Sequence, residues 1–448
     1  MKKLNNLSLF VLIGICAVIS VYRINVVSEK EISWDVLGYY MYLPATFIYD
    51  DPMLKDISWL KKVNSEKKLA DTLYMVTEND KGEPMYFFLM GLALFFLPFF
   101  LVGHAFAAIL GFPMDGFSPP YQYSLVVGAI LYTIIGLIFL RKILKYFFSE
   151  KVTSLILIIL VFGTNYIHHL TIKDLETVNV LFMLTTIVVW CTIKWHECYK
   201  QKHLIIIVVS ITLMILIKPS ELFVLLIPIL WNVASFGDLK LKISKLFNHK
   251  KAILIAMGIS IIIVSPQMIY WYLKTGSFIY DSYKNPGVGL DTLSPHIINV
   301  LISYRKGWLL YTPVMAFSLM GFYFLYKKNF KIFYACFFYF VISFFIISSW
   351  TEWWYGAGYS IRPLITTYPI LAICLGYFIV FIHESKLALK IIFWILVVFF
   401  IFLNQFQWWQ LKHYVLNPYQ TTKEYYWATF LKNKVSESDR DLLLVNRS

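Results

Sequence analysis

The sequence predicts an all-α polytopic membrane protein, a bundle of about eleven transmembrane helices with short juxtamembrane helices in its first outer loop. Three observations predict it. Of 448 residues, 59% are hydrophobic and 19% aromatic, a composition foreign to a soluble domain of this length. Apolar runs of roughly 20 residues recur, the length an α-helix needs to cross a bilayer and about twice that of a barrel strand. The formal net charge of +14 comes largely from Lys and Arg in short loops with few acids beside them. That asymmetry marks cytoplasmic loops. No aromatic–basic RNA motif or zinc spacing accompanies it, so no nucleic-acid partner is expected.

The elements follow in order. Residues 7–27 form the first span, preceded by Lys2 and Lys3. They resemble a signal sequence, but no small-x-small cleavage site follows, so they read as an uncleaved helix. An acid-rich stretch then runs to Pro84, with amphipathic pieces at 36–48 and 54–69 that should lie on the membrane surface. Residues 87–112 are apolar but carry Pro98 near their middle. The acidic stretch before them belongs outside, and the basic loop with Arg141, Lys142, Lys145 and Lys151 inside. An odd number of crossings must join the two, and 121–140 is one. Residues 87–112 are therefore expected to form a re-entrant hairpin or a surface helix pair that does not cross fully.

Further spans are expected at 152–166, 175–195, 204–217, 222–236, 252–273, 308–326, 332–350, 363–382 and 389–406. The transmembrane domain occupies 1–406, with a first outer loop at 28–120 and a large outer loop at 274–307. Residues 407–448 form a short outer tail. None of the five cysteines falls in an outer segment, so no disulfide is expected. No paired interrupted helices of the transporter kind and no GxxxxGK[ST] phosphate loop are visible.

In this topology the unusual polar residues gather on the outer face. Residues 33–44 read S-W-D-V-L-G-Y-Y-M-Y-L-P, placing Asp35 just beyond a span with Tyr39 and Tyr40 around Gly38. An acid at the lip of an apolar helix is either a solvated loop acid or a functional one. Asp35 is the candidate catalytic base. Lys81 and Glu83 close the same stretch. Asp174 and Glu176 form a possible second acidic site, with a helix-capping Asp as the alternative. His168 and His169 stand beside them, but adjacent helical residues point roughly 100° apart and seldom share one ion, so no metal ligand set is predicted. A divalent metal stays possible without being required. Lys218 either pairs with Glu221 or meets a lipid phosphate. Tyr283, Arg305 and Lys306 lie in or beside the large loop, where Arg305 either binds phosphate or anchors at the interface next to Trp308. Residues 348–363, S-S-W-T-E-W-W-Y-G-A-G-Y-S-I-R-P, offer Glu352, Trp354 and Arg362, with the arginine free to bind phosphate or to pair Glu352.

Taken together, S-W-D-V-L-G-Y-Y, G-T-N-Y, I-K-P-S-E, P-Q-M-I-Y-W-Y-L-K-T-G-S-F, K-G-W-L-L-Y-T-P and W-W-Y-G-A-G-Y-S-I-R-P resemble segments of bacterial C-type (GT-C) integral-membrane glycosyltransferases, the class of protein mannosyltransferases and the aminoarabinose transferase. The resemblance implies an inverting transferase in the bacterial inner membrane, active on its outer face. It implies a polyprenyl-phosphate sugar donor, a lipid, glycan or protein acceptor, and no required cofactor. The first-loop acid of that class maps to Asp35, where Val36 replaces the second acid often found there. A flippase of lipid-linked sugars and an O-antigen polymerase or ligase are the competing readings.

Overall fold

The computed structural model describes residues 6–283 and 288–444, so Lys2, Lys3 and the Lys284–Gly287 stretch of the large loop lie outside the described residues. Almost all regular structure is helical. The chain opens with α1 (Leu7–Asn25), then α2 (Asp35–Tyr40), α3 (Tyr42–Phe47) and α4 (Ser58–Lys67). A small antiparallel hairpin follows, β1 (Val76–Glu78) against β2 (Pro84–Tyr86), with Thr77 opposite Met85. Next come α5 (Gly91–Leu110), α6 (Pro119–Phe147), α7 (Glu150–Phe162), α8 (Tyr166–Thr171), α9 (Thr177–Cys198) and α10 (Gln201–Ile217). A 3₁₀ turn at Pro219–Leu225 leads into α11 (Leu226–Leu230), followed by α12 (Phe236–Phe247) and α13 (Lys250–Thr275). The remainder is α14 (Ile297–Ile302), α15 (Trp308–Tyr311), α16 (Met315–Ser348), a 3₁₀ turn at Arg362–Thr367, α17 (Tyr368–Glu384), α18 (Leu387–Lys412), α19 (Lys423–Thr429) and α20 (Glu437–Arg440).

Eight of the described helices are long and apolar enough to cross a membrane, and α10 and the Pro219–Leu230 segment are shorter apolar ones. The architecture is an all-α polytopic membrane bundle, as the composition predicts. α9 and α17 form its centre, whereas α18 turns Ile392, Ile395 and Val398 outward, as a helix bordering lipid should. At Gly321 the backbones of α16 and α17 meet so closely that a Cβ would overlap the Cys374 carbonyl, the small-residue contact typical of membrane helices.

Two expected spans, 308–326 and 332–350, appear as one helical run, α16, broken at Asn329 (φ −151°, ψ 69°). The run folds back on itself there, because the Phe322 and Phe340 ring centroids are 5.5 Å apart. A straight helix would separate them by about 27 Å. The lysines at 327, 328 and 331 sit at this bend. Residues 237–251, which fall between the expected spans at 222–236 and 252–273, are mostly α12, opened by a Ser235–Asp238 capping box. It exposes Phe236, Leu241 and Phe247, while Lys242 donates to the Pro228 and Ile229 carbonyls at 3.0 Å and to the Trp231 carbonyl. Its apolar residues are spaced as in an interfacial helix, which a reading of charge alone overlooks.

The expected hairpin or helix pair at 87–112 is a single unbroken helix, α5. Pro98 stays inside it. The Tyr132 hydroxyl donates to the Phe95 carbonyl at 2.8 Å, next to the carbonyl that Pro98 leaves without its helical donor. Both ends of α5 bond to the same segment, α2 to α4. Before it, the Phe88 carbonyl accepts from the Tyr42 hydroxyl at 2.6 Å. After it, the Gly116 carbonyl accepts from the Tyr40 hydroxyl at 2.5 Å, and Asp115 pairs with Lys67 at 2.9 Å. We therefore propose that α5, though 20 residues long, ends on the face where it starts. In a cysteine-free background, Lys81→Cys and Met114→Cys should both react with a membrane-impermeant maleimide added to intact cells. Labelling of only one of the pair would make α5 a full crossing.

Candidate active site

Asp35 opens α2 directly after Trp34, whose backbone occupies a left-handed region (φ 53°) that a bulky residue seldom adopts. On the next turn Gly38 has no room for a Cβ against the Phe88 ring and Met75, so α2 sits tightly on Phe88. Both Asp35 oxygens are engaged. Oδ1 accepts from the Tyr74 hydroxyl at 2.6 Å, and Oδ2 meets Arg362 Nη2 at 2.7 Å. The side chain nevertheless stays 28% exposed. Burial pushes its carboxyl up, but the Arg362 charge and the Tyr74 bond outweigh this and hold it below the ordinary carboxylate value. Burial followed by the Asp35 charge pushes the Tyr74 hydroxyl up, so the tyrosine stays a donor.

Arg362 begins the 3₁₀ turn before α17, where Pro363 prevents an α-helix from continuing backward. Its second nitrogen, Nη1, reaches Glu176 Oε2 at 2.8 Å. Glu176 is the N-cap residue of α9 but makes no capping bond. Lys173 Nζ at 3.7 Å and His169 Nδ1 at 3.6 Å complete its surroundings. Lys306 enters from the turn before α15, buried, with its ammonium on the Gly358 carbonyl. Burial, with Arg362 and Arg305 nearby, lowers its pKa well below the usual lysine value. Lys218 stands 5.2 Å from the Tyr355 ring centroid. Tyr39, stacked on Phe88 at 4.3 Å, and Tyr283 both lie near enough to Asp35 and Arg362 to feel their charges.

The site thus joins Asp35, Tyr39, Glu176, Lys218, Tyr283, Lys306 and Arg362. Other expectations require correction. Arg362 pairs Asp35 and Glu176 rather than Glu352, which is exposed. Asp174 is neither a cap nor a partner of Glu176. It pairs with Arg23 Nε at 2.8 Å, both side chains being 1% exposed, and Arg23 also grips Glu31 at 2.6 Å. Tyr40 is fully buried, edge-on to Phe96, Phe100 and Phe117, and so is a packing residue. Lys81 is exposed in the hairpin turn. Arg305 points away from Lys306, its Nε on the Tyr419 carbonyl at 3.0 Å and its guanidinium 3.8 Å from the Trp354 ring centroid. It anchors the tail instead of facing the site.

His168 and His169 cross at 89° with centroids 5.2 Å apart. Burial keeps both rings well below the usual imidazole value. Among the described residues no three His, Cys, Asp or Glu side chains group closely enough to hold a metal ion. Sequence reasoning missed Tyr74, which carries no signal in a polar stretch. It also missed Arg23, whose signal was an arginine in the last turn of a span.

A multi-pass helical bundle with carboxylates and buried cations meeting at one end defines a membrane protein with a polar reaction or transport site. Residues 120–271 match the family model of dolichyl-phosphate-mannose-protein mannosyltransferase, a GT-C type glycosyltransferase family. The match covers about a third of the chain, from the start of α6 into α13, and includes Glu176 and Lys218 but neither Asp35 nor Arg362. Over that stretch the chain is similar to a GT-C glycosyltransferase family, as its motifs suggest. No curated protein matches it.

Two outcomes follow from this geometry. Arg23→Met leaves Asp174 and Glu31 without their cation and should destabilise the fold by about 3–5 kcal/mol, read as a large drop in the thermal unfolding midpoint in detergent. Asp35, lowered in the folded state, adds stability above its unfolded pKa of about 4 that is lost as pH falls through the folded value. The unfolding midpoints of wild type and Asp35→Asn should stay apart at pH 7 and draw together only as pH falls from about 4 through the lower folded value.

Proposed function

We propose that this protein is an inverting glycosyltransferase that moves a sugar from a polyprenyl-phosphate donor to a hydroxyl of a lipid, glycan or protein acceptor, on the outer face of a bacterial inner membrane. The observation that supports this best is Asp35, a carboxylate bound at both oxygens yet partly open, beside several basic side chains. Lys173, Lys218 and Arg362 gather with Asp35, Glu176 and Glu221, and Lys306 is buried beside Arg362.

In the proposed step Asp35 accepts the proton of the acceptor hydroxyl as its oxygen attacks the anomeric carbon. The bond from that carbon to the phosphate oxygen breaks, its electron pair leaves with the polyprenyl phosphate, and configuration inverts because one displacement occurs. The leaving phosphate gains negative charge, which Lys306 and Arg362 stabilise. Tyr74 and Arg362 hold the carboxylate in one orientation.

With a purified polyprenyl-phosphate sugar, Asp35→Asn should fold and lose transfer by roughly 10²–10⁴-fold. Lys306→Met should lose about tenfold or more through one charged hydrogen bond, while Arg305→Gln should retain near-normal transfer. Near-normal transfer by folded Asp35→Asn and Lys306→Met together would favour lipid-linked sugar transport instead.

A further inference from the structure

A second basic hollow adjoins Asp35, and the proposed reaction does not use it. It is a cavity of about 320 Å³ between the last turn of α1, the last residue of α18 and the loops before α2 and α9. Lys30, Lys173 and Lys412 line it, with Tyr22 in its wall and Ser33 and Val36 on the side of Asp35. Lys412 lies 4.8 Å from the Tyr22 ring centroid. The Tyr22 hydroxyl is buried and has no hydrogen-bond partner among the described residues. Arg23 and Glu31 line it too, with Arg23 paired to both Glu31 and Asp174. The lining thus sets the cations Arg23, Lys30, Lys173 and Lys412 against one carboxylate, Glu31, while Lys173 also shares Glu176 with Arg362.

Position narrows the ligand. α1 and α18 are both membrane-spanning by length and composition, and the hollow sits where both end. A ligand there has a polar part at headgroup level and an apolar part beside the helices. Lysine ammoniums are point-charge partners for phosphate, and the size suits one headgroup. Lys173 links the two sites, since it lines this hollow and also faces Glu176.

We propose that this hollow is an acceptor subsite that recognises phosphate: an amphiphilic acceptor places its phosphate among Lys30, Lys173 and Lys412 and presents a hydroxyl to Asp35. The assignment rests on the transferase reading and names its acceptor class, a phosphorylated amphiphile.

The test uses the full chain in phosphatidylcholine nanodiscs, with short-chain phosphatidic acid, short-chain phosphatidylcholine and inorganic phosphate as probes. Phosphatidic acid should bind saturably and phosphatidylcholine should not. Inorganic phosphate should compete only weakly if the lipid part contributes, and as well as phosphatidic acid if the phosphate alone is recognised. Either outcome supports a phosphate subsite and separates its two sources. Lys30→Gln/Lys412→Gln, on two exposed residues outside the reaction centre, should weaken phosphatidic acid binding about tenfold or more while donor binding stays unchanged. Equal binding by wild type and this variant, or no preference over phosphatidylcholine, overturns the subsite. Loss of donor turnover with intact phosphatidic acid binding would instead overturn the transferase reading alone.

Discussion

Arg362 is the tie on which the site depends. One guanidinium holds Asp35 from the start of α2 and Glu176 from the start of α9, across a sequence separation of 327 residues in the first case. Its planar fork gives each carboxylate its own nitrogen, Nη2 for Asp35 and Nη1 for Glu176, a geometry that the single ammonium of a lysine does not reproduce. The three charges also justify one another. A carboxylate or guanidinium taken out of water is costly unless its partner is in place. Removing Arg362 would leave two acids at a membrane face with weaker partners, and α2 would lose the contact that orients its first residue.

The other buried cations follow the same rule with different partners. Arg23 finds Asp174 and Glu31, whereas Lys306 and Lys242 find backbone carbonyls. In a bundle short of water, carbonyls left open at a helix end, as for Lys242, or in a loop, as for Lys306, are the available acceptors. This separates a structural layer from a chemical one. Arg23 and Lys242 are satisfied by the fold. Lys218, Lys173 and the exposed part of Asp35 keep capacity for a ligand.

The motifs at 33–44 and 348–363 were informative because their residues are out of character for their setting: an acid at the lip of a span, and an arginine with glycines among tryptophans. Neighbouring residues of the same type proved misleading. Arg305 and Lys306 are adjacent and equally basic, yet one turns to the C-terminal tail and the other into the site. Asp174 and Glu176 are two apart and belong to different ion-pair clusters. Tyr39 and Tyr40 likewise divide between site and core. Successive side chains on a tight turn diverge by roughly 100°, so a cluster in sequence need not be one in space.

The sequence by itself determined the membrane class, most of the spans, the fold-back near residue 329 and the presence of Asp35, Lys218 and Arg362 among the residues that meet. Hydrophobic length and loop charge carry that information locally, because each helix must satisfy the bilayer on its own. Only the tertiary structure decided which acid each arginine takes, that Tyr74 holds the base, that α5 runs unbroken through Pro98, and that three lysines surround a hollow beside Asp35. Those outcomes turn on which groups meet across distant segments, and pairing in a low-dielectric interior is decided by ångström-scale geometry that no local pattern encodes.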